Sequence, residues 1–133
     1  MSVGPVSGSV ISVALPPGKT VFWTVTAQAS YNQFVKLIDG TGAAIFQSTG
    51  ASTGGHAPTQ IGQGSFVVNN NGSYSLAIGI NGGQSWSTVM WDDMTVNLGD
   101  TIICSNLNFI AEDGADQDFN DVCVSISWFN SIG

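Results

Sequence analysis

Short apolar runs recur along the chain, separated by turn residues, in the pattern of an all-β sandwich or barrel. Ser9-Val10-Ile11-Ser12-Val13-Ala14-Leu15 runs into Pro16-Pro17-Gly18, and Thr20–Ala27 is rich in β-branched and aromatic residues. Phe34–Ile38 alternates up to Asp39-Gly40, and Ala43–Phe46 follows. Residues 48–64 are rich in Ser, Thr and Gly and read as a loop or irregular edge. Ser65–Val68 and Ser73–Ile80 flank Asn69-Asn70-Asn71-Gly72, the strongest short hairpin signal in the chain. Asn81-Gly82-Gly83 turns into Ser85–Trp91, and Met94–Leu98, Thr101–Cys104, Leu107–Ile110 and Val122–Trp128 complete the predicted strands. No segment carries a capped 3.6-residue apolar period. The expected fold is a single all-β domain over 1–133, an antiparallel β-sandwich.

Composition supports a folded chain. Hydrophobic residues make up 43% of 133 positions, enough for a core, and charged residues only 8%, against about 25% in ordinary domains. Hydroxyls and amides therefore carry the solvation. The net charge of −7, with Lys19 and Lys36 as the sole basic residues, excludes a nucleic-acid partner. No run of 18 apolar residues exists, so no helical membrane insertion is expected. The N-terminus shows no signal-peptide pattern, which leaves two alternatives open: a mature form, or synthesis in the cytosol with non-classical release to the cell surface or exterior.

The acidic residues are not spread evenly. Glu112, Asp113, Asp116, Asp118 and Asp121, five of the nine, fall within ten positions. Two unit charges about 5 Å apart repel by about 3 kcal/mol at an effective dielectric near 20. Neither lysine is near in sequence to relieve this. A hard divalent cation would, and ligands that are all oxygen, without Cys or His, select calcium over zinc. Asp116, Asp118 and Asn120 have the opening spacing of an EF-hand loop. Asp121 stands where that loop needs glycine, however, and Ser127 where it needs glutamate.

The block Leu107-Asn108-Phe109 … Glu112-Asp113-Gly114-Ala115-Asp116-Gln117-Asp118-Phe119-Asn120-Asp121-Val122 … Ser127-Trp128, ending in Gly133, resembles the LecB-like family of bacterial calcium-dependent fucose/mannose-binding lectins. The likeness is specific over roughly the last 27 residues, and weaker similarity precedes it in the same order. It implies a β-sandwich holding two adjacent calcium ions on which sugar hydroxyls bind directly. Glu112, Asp116, Asp118, Asn120 and Asp121 would be the ligands, with Asp118 and Asp121 shared between the ions. Asp113 would accept a sugar hydrogen bond, and Gly114 would let the backbone pass close to the sugar.

The same resemblance assigns one more ligand to an early loop, here Ala29-Ser30-Tyr31-Asn32-Gln33. Direct alignment gives Ser30 and a small shift gives Asn32; both remain open, with Ser30 and Tyr31 also placed to tune sugar preference. The family's C-terminal glycine carboxylate completes a neighbouring subunit's site, which would make Gly133 a ligand and the protein a homodimer or higher oligomer. Phe129-Asn130-Ser131-Ile132 makes this tail longer than the family's usual ending. The alternative is a calcium-stabilised structural or adhesive domain without sugar specificity.

Other candidates read more plainly. Asp92-Asp93 suggests paired carboxylates, but neighbours on a strand face opposite ways, and a turn after Trp91 is the expected conformation. His56 reads as a solvated loop residue. Trp23, Trp86, Trp91 and Trp128 read as core or interface, with Trp86, beside a turn, also open to sugar stacking. With one histidine and no catalytic constellation, the chain is not expected to be an enzyme. A final hairpin closed by the acidic loop sets Ile110 opposite Cys123 and Cys104 opposite Phe129. The thiols are then about 20 Å apart, which excludes a disulfide.

Overall fold

A computed structural model describes residues 3–7, 10–112 and 119–131. Eleven strands follow in chain order: β1 (Val3–Ser7), β2 (Ile11–Ala14), β3 (Thr20–Ala27), β4 (Gln33–Asp39), β5 (Ala44–Gly50), β6 (Thr59–Val67), β7 (Ser73–Ile80), β8 (Ser85–Trp86), β9 (Thr88–Leu98), β10 (Thr101–Glu112) and β11 (Val122–Phe129). A 3-10 turn at Asn81–Gly83 separates β7 from β8. One sheet has the order β1-β9-β10-β11-β3-β6, and the other has β2-β7-β4-β5 with β8 on β7. Every pairing is antiparallel. The predicted all-β sandwich is the observed one.

Alternation decides which side chains meet between the sheets. In β3, Val21, Val25 and Ala27 are buried while Phe22 is exposed. Leu107, Phe109 and Ala111 of β10 and Val122, Val124 and Ile126 of β11 continue that inner face. Val35 and Leu37 of β4 and Leu76 and Ile78 of β7 oppose them. Trp23 stacks on Phe46 with ring centroids 3.8 Å apart and planes 12° apart, bridging β3 and β5.

Trp23 also explains a strand that the pattern concealed. Residues 59–67, expected to begin as an irregular edge, form β6 and pair with β3. Gly62 and Gly64 weaken local β propensity, but the Trp23 ring lies over both. A Cβ at either position would come within 3.0 Å of the indole. The glycines are there for the ring, and a neighbouring strand supplies the order that local sequence lacks.

Three further expectations are corrected. The Asn-Gly segment at 69–72 does not close a hairpin, because β6 pairs with β3 in one sheet and β7 with β2 and β4 in the other. Its polar groups serve a crossing instead. The Gly72 amide donates to Asn69 Oδ1 at 2.9 Å, and the Leu15 amide donates to Gly72 O at 2.9 Å. Secondly, β9 runs unbroken through Asp92-Asp93, because β10 pairs with it along its length, Asn108 opposite Asp92 and Leu107 opposite Asp93. Thirdly, β10 is one strand where two short ones were expected, and β1 had no prediction.

The final hairpin has the register expected, with Ala111 opposite Val122, Ile110 opposite Cys123 and Cys104 opposite Phe129. Both cysteines are free. Burial pushes the Cys123 thiol pKa up, which makes it a poor nucleophile.

Candidate functional site

Strand direction alone brings several connections to one end of the sandwich. Among them are 28–32 (β3 to β4), 51–58 (β5 to β6) and 81–84 (β7 to β8), and the segment 113–121 joins the ends of β10 and β11 that lie there. The last is the acidic loop. Its members Asp113, Gly114, Asp116 and Asp118 lie outside the described residues, as does Gly133. Glu112, Asn120 and Asp121 are described, and so are Ser30, Tyr31 and Asn32 of the opposing loop.

Glu112 ends β10 and is only 4% exposed. A buried carboxylate must find donors or a cation. One donor is the Phe119 amide, at 3.2 Å from Glu112 Oε1. Phe119 has φ +54°, the left-handed conformation that a bulky residue adopts only in a tightly determined turn. Phe119, the residue before Asn120 and Asp121, is thus tied to the first carboxylate of the acidic segment.

Asp121 is held by its backbone. Its amide donates to Ala111 O at 3.2 Å, and its carbonyl accepts the amides of Gln28 at 2.8 Å and Ala29 at 3.2 Å. These bonds lock the acidic loop to the 28–32 loop without using the Asp121 side chain. The 28–32 loop is fixed elsewhere too. Ala29 O accepts the Ser52 amide and Asn32 O accepts the Asn81 amide, each at 2.9 Å. Gln33, fully buried, donates through Nε2 to Tyr31 O at 3.3 Å. Ser30, Tyr31 and Asn32 are exposed at the top of this braced segment.

The structure therefore brings the 28–32 loop against the C-terminal end of the acidic loop, as a shared oxygen-donor site requires. The third member is the 81–84 turn that supports Asn32. Its signal was the Asn81-Gly82-Gly83 turn, and Asn81 does take positive φ, +52°. Among the described residues, no three His, Cys, Asp or Glu side chains cluster as a metal site. The described oxygen donors, the carboxylates of Glu112 and Asp121 and the side-chain amides of Asn120 and Asn32, are of the type that fits a hard cation.

Rival sites fall away. Asp92 and Asp93 occupy successive positions of a continuous strand, and the Asp93 amide donates to Asp92 Oδ1 at 2.8 Å. His56 is an exposed loop residue whose Nδ1 lies 3.3 Å from Gln28 O. A cleft of about 520 Å³ at the opposite end is lined by Lys19, Thr20, Phe22, Phe129 and Ser131, with no carboxylate among the described residues.

Comparison with known proteins gives a consistent result. The sequence profile of the fucose-binding lectin II (PA-IIL) family matches residues 13–130. No curated protein sequence matches the chain. Among solved structures, the C-terminal domain of the BC2L-C lectin from Burkholderia cenocepacia superposes with a TM-score of 0.73 at 22% identity. The Chromobacterium violaceum lectin CV2L, solved with alpha-methyl-fucoside, gives 0.71 at 20%. The high-affinity mannose-binding lectin of Ralstonia solanacearum gives 0.68 at 18%. Each alignment covers 92% of this chain and 96% of the other. At such identities the superpositions speak for the fold.

Proposed function

Because the chain belongs to the fucose-binding lectin II (PA-IIL) family, we propose that it is a calcium-dependent lectin whose site holds two adjacent calcium ions and takes fucose- or mannose-type sugars. The family is one of lectins, so the chain is a carbohydrate-binding protein and not an enzyme. The observation that carries the calcium reading is Glu112, a carboxylate buried at the neck of the acidic loop beside a backbone lock onto the 28–32 loop.

In this reading Glu112, Asp116, Asp118, Asn120 and Asp121 hold calcium, with Asp118 and Asp121 shared between the two ions. Bound calcium supplies open oxygen-coordination positions that neutral sugar hydroxyls can fill. Asp113 accepts a sugar hydroxyl proton in a hydrogen bond, and Gly114 allows the close approach. Of the two early-loop candidates, Asn32 is the ligand we favour, because its backbone is pinned by the Asn81 amide. Ser30 and Tyr31, exposed beside it, face the sugar.

Gly133 enters through a second copy. Asn130 is tied to the far end of the sandwich, its amide to Ile103 O at 3.0 Å and its Nδ2 to Ile102 O at 2.7 Å. The length of β11, about 24 Å at 3.4 Å per residue, separates it from the acidic loop of its own chain. A carboxylate at Gly133 serves a neighbouring copy, and the protein works as a homodimer or larger assembly whose several sites add avidity on a glycan surface.

The test is retention on immobilised fucose and mannose in calcium, followed by excess chelator. Retention that free sugar and chelator each release supports the reading and ranks the sugars. A protein that calcium stabilises against heat but that neither column retains is a calcium-stapled domain instead.

A further inference from the structure

Trp86 stands out once the fold is known, because a tryptophan 43% exposed on a two-residue strand is not a core residue. Its place is set from two sides. Two residues along the chain, Thr88 lies opposite Glu112 in the β9–β10 ladder. On the other side, the 3-10 turn that leads into β8 begins with Asn81, whose amide is bonded to Asn32 O at 2.9 Å. The chain on the two sides of Trp86 thus leads to the neck of the acidic loop and to the turn that is bonded to the loop carrying Tyr31 and Asn32. Among the described residues, Tyr31, 61% exposed, and Trp86 are the exposed aromatic side chains at this end. The other exposed pair, Phe22 and Phe129, stacks at the opposite end.

The indole is held in place. Phe34 meets it edge-on, with centroids 6.3 Å apart and planes at 62°. Gly79, its cross-strand partner, and Gly83 lie against the ring. A Cβ would come within 3.0 Å of Trp86 Cε3 at Gly79 and within 3.3 Å of Cη2 at Gly83. Two glycines and a ring edge fix the indole, while much of its surface stays in water. A rigid exposed aromatic of this kind suits the C–H face of a pyranose, since it offers a wide apolar contact at little conformational cost.

We propose that Trp86 is the platform of a second sugar subsite, stacking the residue next to the terminal fucose or mannose of an oligosaccharide. This rests on the calcium-lectin reading, because the terminal sugar is anchored at the acidic loop. Trp86 then sets preference for extended glycans and leaves calcium binding alone. Neutral sugars suit it, since no charged side chain takes part in the contacts that hold the ring.

The experiment is calorimetry in calcium with methyl fucoside and methyl mannoside, then with a fucosylated trisaccharide and a mannose disaccharide. Wild type, Trp86→Leu and Trp86→Phe are compared. Leucine keeps an apolar cover over Phe34 without a ring face, which guards against loss of folding. The expected result is that wild type binds an oligosaccharide about three- to tenfold tighter than the monosaccharide. Trp86→Leu then loses that advantage with monosaccharide affinity unchanged, and Trp86→Phe keeps part of it. An unchanged ratio in Trp86→Leu, or an equal fall for both ligand sizes, overturns the subsite. Wild type that binds none of the four in calcium overturns the lectin reading beneath it, a distinguishable failure.

Discussion

Glu112 Oε1 accepts the Phe119 amide at 3.2 Å, so the first carboxylate of the acidic segment also holds the backbone just before Asn120 and Asp121. One residue thus has a structural and a proposed ligand role, and the two can be separated. Glu112→Gln keeps an oxygen for Phe119 but loses charge. We expect calcium affinity to fall more than about tenfold with little change in the calcium-free melting temperature. Glu112→Ala also strips Phe119 of its acceptor and should cost about 1–3 kcal/mol without calcium. Titration calorimetry and melting with chelator check both.

Asp121 offers a cleaner separation. Its bonds to Ala111, Gln28 and Ala29 are all made by the backbone. Asp121→Asn should abolish the calcium-dependent rise in melting temperature, read against the variant's own calcium-free melting temperature. A variant that still gains stability from calcium as wild type does would remove Asp121 from the ligand set.

The two candidates of the 28–32 loop should behave differently. Asn32→Ala is expected to weaken calcium binding about tenfold or more. Ser30→Ala should keep calcium affinity and alter the ratio of fucose to mannose binding. Calcium titrations paired with sugar competition decide, and the reverse pattern would make Ser30 the ligand.

Gly62 tests the fold away from the site. A Cβ there would collide with Ser48 Oγ and press on Trp23. Gly62→Ala should destabilise the sandwich by about 1–3 kcal/mol, seen in denaturant unfolding, with sugar binding retained well below the lowered melting temperature.

Asp39 should mark the acid limb. Its Oδ1 accepts the Thr41 hydroxyl at 2.7 Å and the amides of Thr41 at 2.9 Å and Ala43 at 3.1 Å. The Thr41 hydroxyl, then its amide, holds the carboxyl pKa below the ordinary 3.8. A depressed folded pKa gives stability that is complete above the unfolded value and lost as pH falls through the folded one. The stability difference between wild type and Asp39→Ala should be constant near pH 6 and shrink below about pH 4. Melting curves from pH 2 to 6 measure it.

Period-two alternation gave away β4, β7 and β11 before any coordinates, because a half-buried strand must put its apolar residues on one side, and β-branched and aromatic residues gave away β3. The register of the β10–β11 hairpin followed as well, and with it the separation of Cys104 from Cys123. Where alternation is absent, pairing decides. Gly62 and Gly64 hid β6, and Asp92-Asp93 hid the middle of β9, since each is ordered by a neighbouring strand that local sequence does not specify.

The sequence by itself determined the charge pattern on which the proposed calcium chemistry rests. Five carboxylates within ten positions, with only two lysines in the chain, call for a hard cation wherever the chain leads. Tertiary structure decided what surrounds that charge. It sent β6 and β7 into different sheets, latched Gln28 and Ala29 onto Asp121 O, and set Asn81 under Asn32 and Trp86 beside them. The physical reason is range. Side-chain alternation and turn residues act over a few positions, whereas the neighbours of a loop are chosen by which distant strands pair and bury their faces together.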